Sequence, residues 1–404
     1  MPVQKELGAA FHSYQPPREV ALPSGGQLRV VPEINEKIFH QTYERILTEG
    51  LLDGVAYSVF APLRSWMKVY QPEAMKSLRR ELARLPDADY RIIGDPLFHV
   101  ILPFLAYDEA KILFEAGRIA IREDLGVSPV AVWLPECGVD VKTAQAAFDV
   151  GYRAIVLKDS QLEKVDGDPM MAQLNRGEIM VWTSNAWLSN KVANDPTMTV
   201  DSGSFLEMIA DWGGEGTFLA VDTETFGHHW YKRDEFAKWV FNREKMARKG
   251  LVPMDFRAKM GKQKGLTQIK EGTSWSCVHG LERWTGGCDC DNASAKARGQ
   301  KREYFEGLMD RRLAIVSGLD RGAPDWKKWM PAFLAANRHY LFGENKTNLA
   351  EGLDGASRVK RLVEAYQMCL IGMTSCGWFF GGDGSEERAY PQTAIEEIDK
   401  LGVV

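Results

Sequence analysis

Two short segments place carboxylates directly after apolar runs with the length and composition of β-strands. The first is Val130-Ala131-Val132-Trp133-Leu134-Pro135-Glu136-Cys137, and the second is Phe218-Leu219-Ala220-Val221-Asp222-Thr223-Glu224-Thr225-Phe226-Gly227-His228-His229. In α/β barrels the reacting groups gather at the carboxyl ends of the strands, so a polar residue that ends an apolar strand is a candidate for chemistry. Paired carboxylates suit cleavage of a glycosidic bond: one attacks or stabilises an oxocarbenium-like centre, and the other delivers a proton. A plainer reading exists for each. An acidic residue after a strand often only caps the next helix, and Asp-x-Glu can hold a cation or bind loop amides.

A third group is Cys277-x-His279 with Cys288-x-Cys290, four soft or borderline ligands within fourteen positions. That donor set suits zinc or another thiophilic metal. Both pairs are tighter than the usual two-residue knuckle spacing, and the expectation is that the chain holds no metal and no cofactor. The remaining cysteines, Cys137, Cys369 and Cys376, read as reduced thiols, the last two in or beside a helical core.

The elements that must position these residues follow from hydrophobic period. Strands are expected at Val55–Phe60, Ala131–Leu134, Arg153–Leu157, Ile179–Trp182 and Thr217–Val221. Helices are expected over Pro72–Leu85 and Tyr107–Leu125, after a cap at Asp140 as far as the Gly151 stop signal, and near Ser204–Trp212. Strands separated by helices imply a parallel α/β sheet, open or closed into a barrel. The last third changes character. Trp326, Trp329, Met330, Phe333, Leu334 and Asn337 hold helical spacing, as do Val359, Leu362, Val363, Tyr366, Cys369 and Met373. A catalytic barrel over residues 1–295 and a helical domain over 296–404 are therefore expected.

Composition bounds the function. The 404 residues are 45% apolar and 26% charged, with a net charge of −5, which gives no reason to expect nucleic acid as a partner. The basic clusters Arg257–Lys264 and Lys296–Arg302 read as solvated loops. No apolar run is long enough to span a bilayer and no signal pattern opens the chain, so a cytoplasmic location is expected. Twelve tryptophans fit a cleft that stacks sugars, and fit packing as well.

Five blocks carry a family resemblance: Phe11-His12-Ser13-Tyr14-Gln15-Pro16-Pro17-Arg18-Glu19, His99-Val100-Ile101-Leu102-Pro103, Trp133 to Glu136, Asp222 to His229, and Thr273-Ser274-Trp275-Ser276-Cys277-Val278-His279-Gly280. In this order they resemble glycoside hydrolase family 57, and most closely an uncharacterised branch of it, which the segment Thr374 to Phe380 also resembles. The resemblance implies a distorted (β/α)7 barrel followed by a helical domain that helps close the cleft. It implies a retaining enzyme that cleaves or transfers α-glycosidic bonds, with an α-glucan oligo- or polysaccharide as partner. By motif position Glu136 corresponds to the nucleophile and Asp222 to the acid/base. His12 and Trp133 correspond to substrate contacts, and Gln15 lies in the same block as His12. Glu224 matches an acidic position, while Trp275 and His279 fall on the sugar-facing rim. His229 is read as a substrate or acid-neighbour group, and His99 as cleft-lining or as a satisfied core histidine. Asp222 must keep its proton near neutral pH, which burial against Trp133 or Phe226 and the charge of Glu136 would favour.

The sequence departs from the family pattern in three places. Tyr14 stands where many members have histidine, Thr223 stands where a glycine usually separates Asp from Glu, and Gly381-Gly382-Asp383-Gly384 follow Phe380 shortly before the chain stops. Two rival classes remain. A metal-dependent carbohydrate deacetylase needs an Asp with two histidines on one face, commonly four apart, and the histidines at 12, 40, 99, 228, 229, 279 and 339 offer no such pair. A glycan-binding protein without turnover is opposed by the intact Glu136 and Asp222 and left open by the altered Tyr14 and Thr223.

Overall fold

Seven apolar strands form the centre of the molecule: β1 (Lys5–Ser13), β2 (Val55–Val59), β3 (Ile92–Ile93), β4 (Ala131–Val132), β5 (Ala154–Lys158), β6 (Glu178–Ser184) and β7 (Gly216–Asp222). The computed structural model describes residues 5–212, 215–262, 264–290, 292–342, 357–379 and 385–404. β2, β4 and β5 are buried at every position. Such continuous burial is the mark of parallel strands covered on both faces.

Two parallel ladders, β7-β1-β2-β3 and β4-β5-β6, make up the ring. A single parallel bridge, Gly94 to Val132, joins β3 to β4. At the other seam the Asn185 amide, just past β6, donates to the Phe218 carbonyl of β7 at 2.9 Å. These thin seams are where the barrel is distorted. Gly94 is required at the first of them, because a Cβ there would lie 2.5 Å from the Tyr152 hydroxyl oxygen. Three shorter strands extend the sheets: Met170–Gln173 pairs antiparallel with β6, Lys264–Thr267 pairs with Met170–Gln173, and Leu251–Pro253 pairs with the start of β1.

Helix α1 (Tyr107–Leu125) and helix α2 (Val141–Val150) cover the ring beside β3 to β5. Asp140 caps α2 as expected, its carboxylate accepting from the Thr143 amide at 2.7 Å. The chain then enters α3 (Ala295–Gly322), α4 (Trp326–Leu341), α5 (Arg358–Gly372) and α6 (Ala389–Leu401). One apolar core unites barrel residues such as Val132 and Leu157 with Leu308, Met330, Tyr366 and Ile398 of these helices. Arg338 of α4 donates to Asp124 of α1 at 2.8 Å, and Arg64 reaches the same carboxylate at 3.0 Å. This fully buried ion network holds the helical part against the barrel, and charge there persists because each ion is paired.

Several elements differ from the sequence reading. β1 was not expected as a strand: it opens on Lys5 and Glu6 and its centre is Gly8-Ala9-Ala10, residues of weak strand propensity. Lys296–Arg302 is not a solvated loop but the first turns of α3, and Lys301 is buried, donating to the Arg283 carbonyl at 2.9 Å and to that of Trp378. In the other basic cluster Lys259 is buried and paired with Asp168. The tetrad Gly381 to Gly384 lies outside the described residues, as does Phe380. Among the described residues no helix is long and apolar enough to cross a membrane.

Candidate active site

The parallel register fixes the first layer of the site. His12 on β1 stands level with Asp222 on β7 and with Ser58 on β2. The carboxyl ends of the strands therefore converge on one cavity of about 1210 Å³, whose lining includes His12, Gln15, His99, Glu136, Asp222 and Glu224. That exceeds the ~300–1,000 Å³ of sites that take drug-sized ligands.

Glu136 lies in the tight turn Pro135–Cys137 that follows β4, and both Glu136 and Cys137 have positive φ, 56° and 46°. Two consecutive non-glycine residues in this region cost on the order of 1–3 kcal/mol each and persist only where the surroundings over-determine them. Here the surroundings are the segment Thr273–Ser276. Val139 and Thr273 form an antiparallel bridge, and the Trp275 amide donates to the Glu136 carbonyl at 3.0 Å. The Trp275 indole Nε1 at 3.2 Å and the Ser276 hydroxyl at 3.3 Å both donate to Glu136 Oε2. Burial raises the Glu136 carboxyl, opposed by these donors, by the Ser375 hydroxyl and by the charge of Arg283.

Asp222 ends β7 and sits between charges. Burial pushes its carboxyl well above the usual range, Glu224 and Glu136 push it further, and only Lys158 pulls it down. Glu224 accepts from Gln15 Nε2 at 3.0 Å and from the Tyr43 hydroxyl. Burial lifts it to about 7 despite those donors. Thr223 does not disturb the strand end: its buried hydroxyl pairs with Ser13 Oγ at 2.8 Å.

An aromatic and imidazole stack forms one wall. His12 lies parallel to Trp133, with centroids 4.6 Å apart, and His99 stacks on Tyr14 at 3.7 Å. His12 Nε2 and His99 Nε2 are 3.3 Å apart, so one ring donates to the other. Burial lowers His12 to about 3 and His99 well below its ordinary value, which keeps both neutral. The helical region supplies the back of this wall. Val100 bridges Thr374, His99 Nδ1 meets Ser375 Oγ at 2.7 Å, and the Tyr14 hydroxyl meets Thr374 Oγ1 at 2.8 Å.

Of the residues singled out in the sequence, Glu136, Asp222, His12, Gln15, His99, Glu224, His229 and Trp275 line the cavity. Trp133 does not; it is fully buried behind His12. His279 is exposed and does not line the cavity either, its Nδ1 lying 3.1 Å from Cys290 Sγ. Lys158 was missed, although it ends the apolar run of β5 as Asp222 ends β7. Its ammonium donates to the Trp275 carbonyl at 3.1 Å and to Asn190, 5.2 Å from the centre of the Trp275 ring. Tyr43 carried no sequence signal, since its contact with Glu224 is set by folding alone.

A barrel with carboxylates and neutral imidazoles collected at its carboxyl rim suits a carbohydrate-processing (β/α) enzyme, though the fold alone hosts many chemistries. The model of glycosyl hydrolase family 57 matches residues 20–254, and the chain belongs to that family. No curated protein matches by sequence. Among solved structures, the chain is similar to an exo-type maltose-forming amylase from Pyrococcus sp. ST04, with a TM-score of 0.74 at 16% identity over 98% of this chain and 80% of that one. It is also similar to a branching enzyme from Pyrococcus horikoshii, with a TM-score of 0.65 at 13% identity over 98% and 89%. A 4-alpha-glucanotransferase from Thermococcus litoralis gives 0.62 at 15% over 91% of this chain and 60% of that one. At these identities the likeness is one of fold.

Proposed function

We propose that this chain cleaves or transfers α-glycosidic bonds of α-glucan oligo- or polysaccharides with retention of configuration, Glu136 acting as nucleophile and Asp222 as acid/base. The observation that carries the reading is the unequal environment of two carboxyls lining one cavity. Burial raises both carboxyls, but Glu136 also holds hydrogen-bond donors and a guanidinium that favour its anion, whereas Asp222 also faces two acidic neighbours that favour its protonated form. Such divergence assigns acid and base roles in paired-carboxylate sites.

In the first step Glu136 Oε attacks the anomeric carbon as the bond to the leaving oxygen breaks, and Asp222 gives that oxygen its proton. The glycosyl ester so formed carries inverted configuration. In the second step Asp222, now anionic, takes a proton from the acceptor, whose oxygen displaces Glu136 and restores the original configuration. Water as acceptor gives hydrolysis, and a sugar hydroxyl gives transfer or branching. The neutral His12 and His99 wall the cleft without adding charge beside Asp222. The division into a catalytic barrel over residues 1–295 and a helical part over 296–404 belongs to the same reading, with Cys376, Phe379 and Glu387 as the helical part's contribution to the cleft lining.

The test is incubation with a panel of α-linked gluco-oligosaccharides, with products separated by size and the first-formed anomer read by NMR. Shorter α-products, or a ladder of longer ones, support the reading. First-formed β-products, or no product from any member of the panel, overturn it.

A further inference from the structure

The geometry points to a structural zinc site formed by Cys277, His279, Cys288 and Cys290. One ligand atom from each of these residues lies within 4.8 Å of all the others. Cys277 Sγ is 3.7 Å from Cys288 Sγ and 3.8 Å from Cys290 Sγ. A tetrahedron with Zn–S bonds of about 2.3 Å has an S–S edge of about 3.8 Å, whereas a disulfide would need about 2.05 Å. His279 Nδ1 lies 3.1 Å from Cys290 Sγ, against about 3.5 Å for the S–N edge of the same tetrahedron. Three thiolates and an imidazole are a closed tetrahedral donor set with no vertex left for a substrate, and that set selects zinc among common cations.

The ligand spacing, tighter than a two-residue knuckle, does not hinder this arrangement. The two pairs are brought face to face by the loop between them, a turn at Gly280 and the short helix Glu282–Thr285, anchored by the fully buried Trp284. Gly280 has φ +71°, and a Cβ there would sit 2.3 Å from the Gly272 carbonyl oxygen, so the turn closes only with glycine. Arg283, which donates to the Ser276 carbonyl at 3.4 Å, supplies positive charge beside Cys290, where the bound centre would carry net negative charge. Binding releases protons from the thiols as the thiolates form.

The site lies outside the proposed chemistry yet adjoins it. Cys277 directly follows Trp275 and Ser276, the two donors to Glu136 Oε2. Zinc would pin the rim segment that holds the proposed nucleophile in place, with Cys277, Cys288, Cys290 and His279 as positioning residues.

The test reads metal, not turnover, and so stands apart from the glycosidase reading. The full chain is purified without chelator and its zinc measured by mass spectrometry. The reduced, metal-free chain is then titrated with Co2+ and its absorbance followed. Wild type should carry one zinc per chain and give an intense tetrahedral visible spectrum with a near-ultraviolet thiolate-to-cobalt band. Cys290→Ser and His279→Ala change half-buried and exposed positions that the fold tolerates. They should lose zinc below stoichiometry and weaken or blue-shift the cobalt spectrum. A wild-type chain without zinc and without the cobalt band overturns the site, as do variants that bind both metals as wild type does.

Discussion

Replacing Glu224 by Gln should make the protein's stability less sensitive to pH, by an amount that follows from one buried carboxyl. Glu224 is 6% exposed and its carboxyl is lifted to about 7 from an ordinary 4.5. Between those values the folded chain keeps a proton that the unfolded chain releases, so stability falls as pH rises through this window and the penalty is complete above it. Converted by 2.303RT per pKa unit, the loss between pH 5 and pH 8 is on the order of 2–3 kcal/mol. Gln keeps the Oε1 acceptor that serves Gln15 and Tyr43. It places an amide where Oε2 is buried without a partner, which costs on the order of 1–3 kcal/mol at every pH. The signature is therefore the slope and not the absolute stability. Asp222 adds to it in the same sense, because the charge of Glu224 is one cause of its raised carboxyl. Urea unfolding of wild type and variant at the two pH values measures the difference directly. Wild type should lose on the order of 2–3 kcal/mol more than the variant over this range, or more with Asp222 included. Parallel loss in the two proteins would refute the electrostatic account of the site.

Three further outcomes are expected. The pH profile of kcat/KM should be bell-shaped, with ionisation of Glu136 on the acid limb and loss of the Asp222 proton on the alkaline limb. Trp275→Phe removes a donor that holds the Glu136 carboxyl down, so the acid limb should move to higher pH while the alkaline limb stays; an unmoved acid limb counts against the contact. Asp124→Asn strips the partner that Arg64, Arg338 and Lys68 share in the buried network. It should destabilise the chain by about 3–5 kcal/mol in denaturant unfolding; a loss under about 1 kcal/mol would show the network to be dispensable.

The chemistry-bearing residues were legible where a polar side chain ends an apolar strand. Glu136 and Asp222 stand out by that pattern alone, and Lys158 on β5 could have been found by it. The helices of the last third were equally legible, because a one-sided apolar stripe survives in the period of Trp326 to Asn337. β1 was hidden, since its Lys5-Glu6 start and its Gly8-Ala9-Ala10 centre carry little of the β-branched and aromatic composition that marked the other strands. Long-range contacts left no trace: nothing local ties Tyr14 to Thr374, or Glu224 to Tyr43. The cluster of Cys277, His279, Cys288 and Cys290 shows what spacing alone leaves out. Cys277 and Cys290 meet because a loop closes at Gly280 and is anchored by Trp284, neither of which the ligand spacing encodes. Trp133 illustrates the converse, a family-matched position that the packing of His12 covers.

The central claim is that Glu136 forms the bond to sugar. The chain should be treated with a 5-fluoro-α-glucosyl fluoride, digested, and its peptides sequenced by mass spectrometry. A glycosyl adduct on Glu136, lost on incubation with acceptor and absent from Glu136→Gln, is the predicted result. An adduct on another carboxylate, or turnover with no adduct and an inverted product, would contradict it.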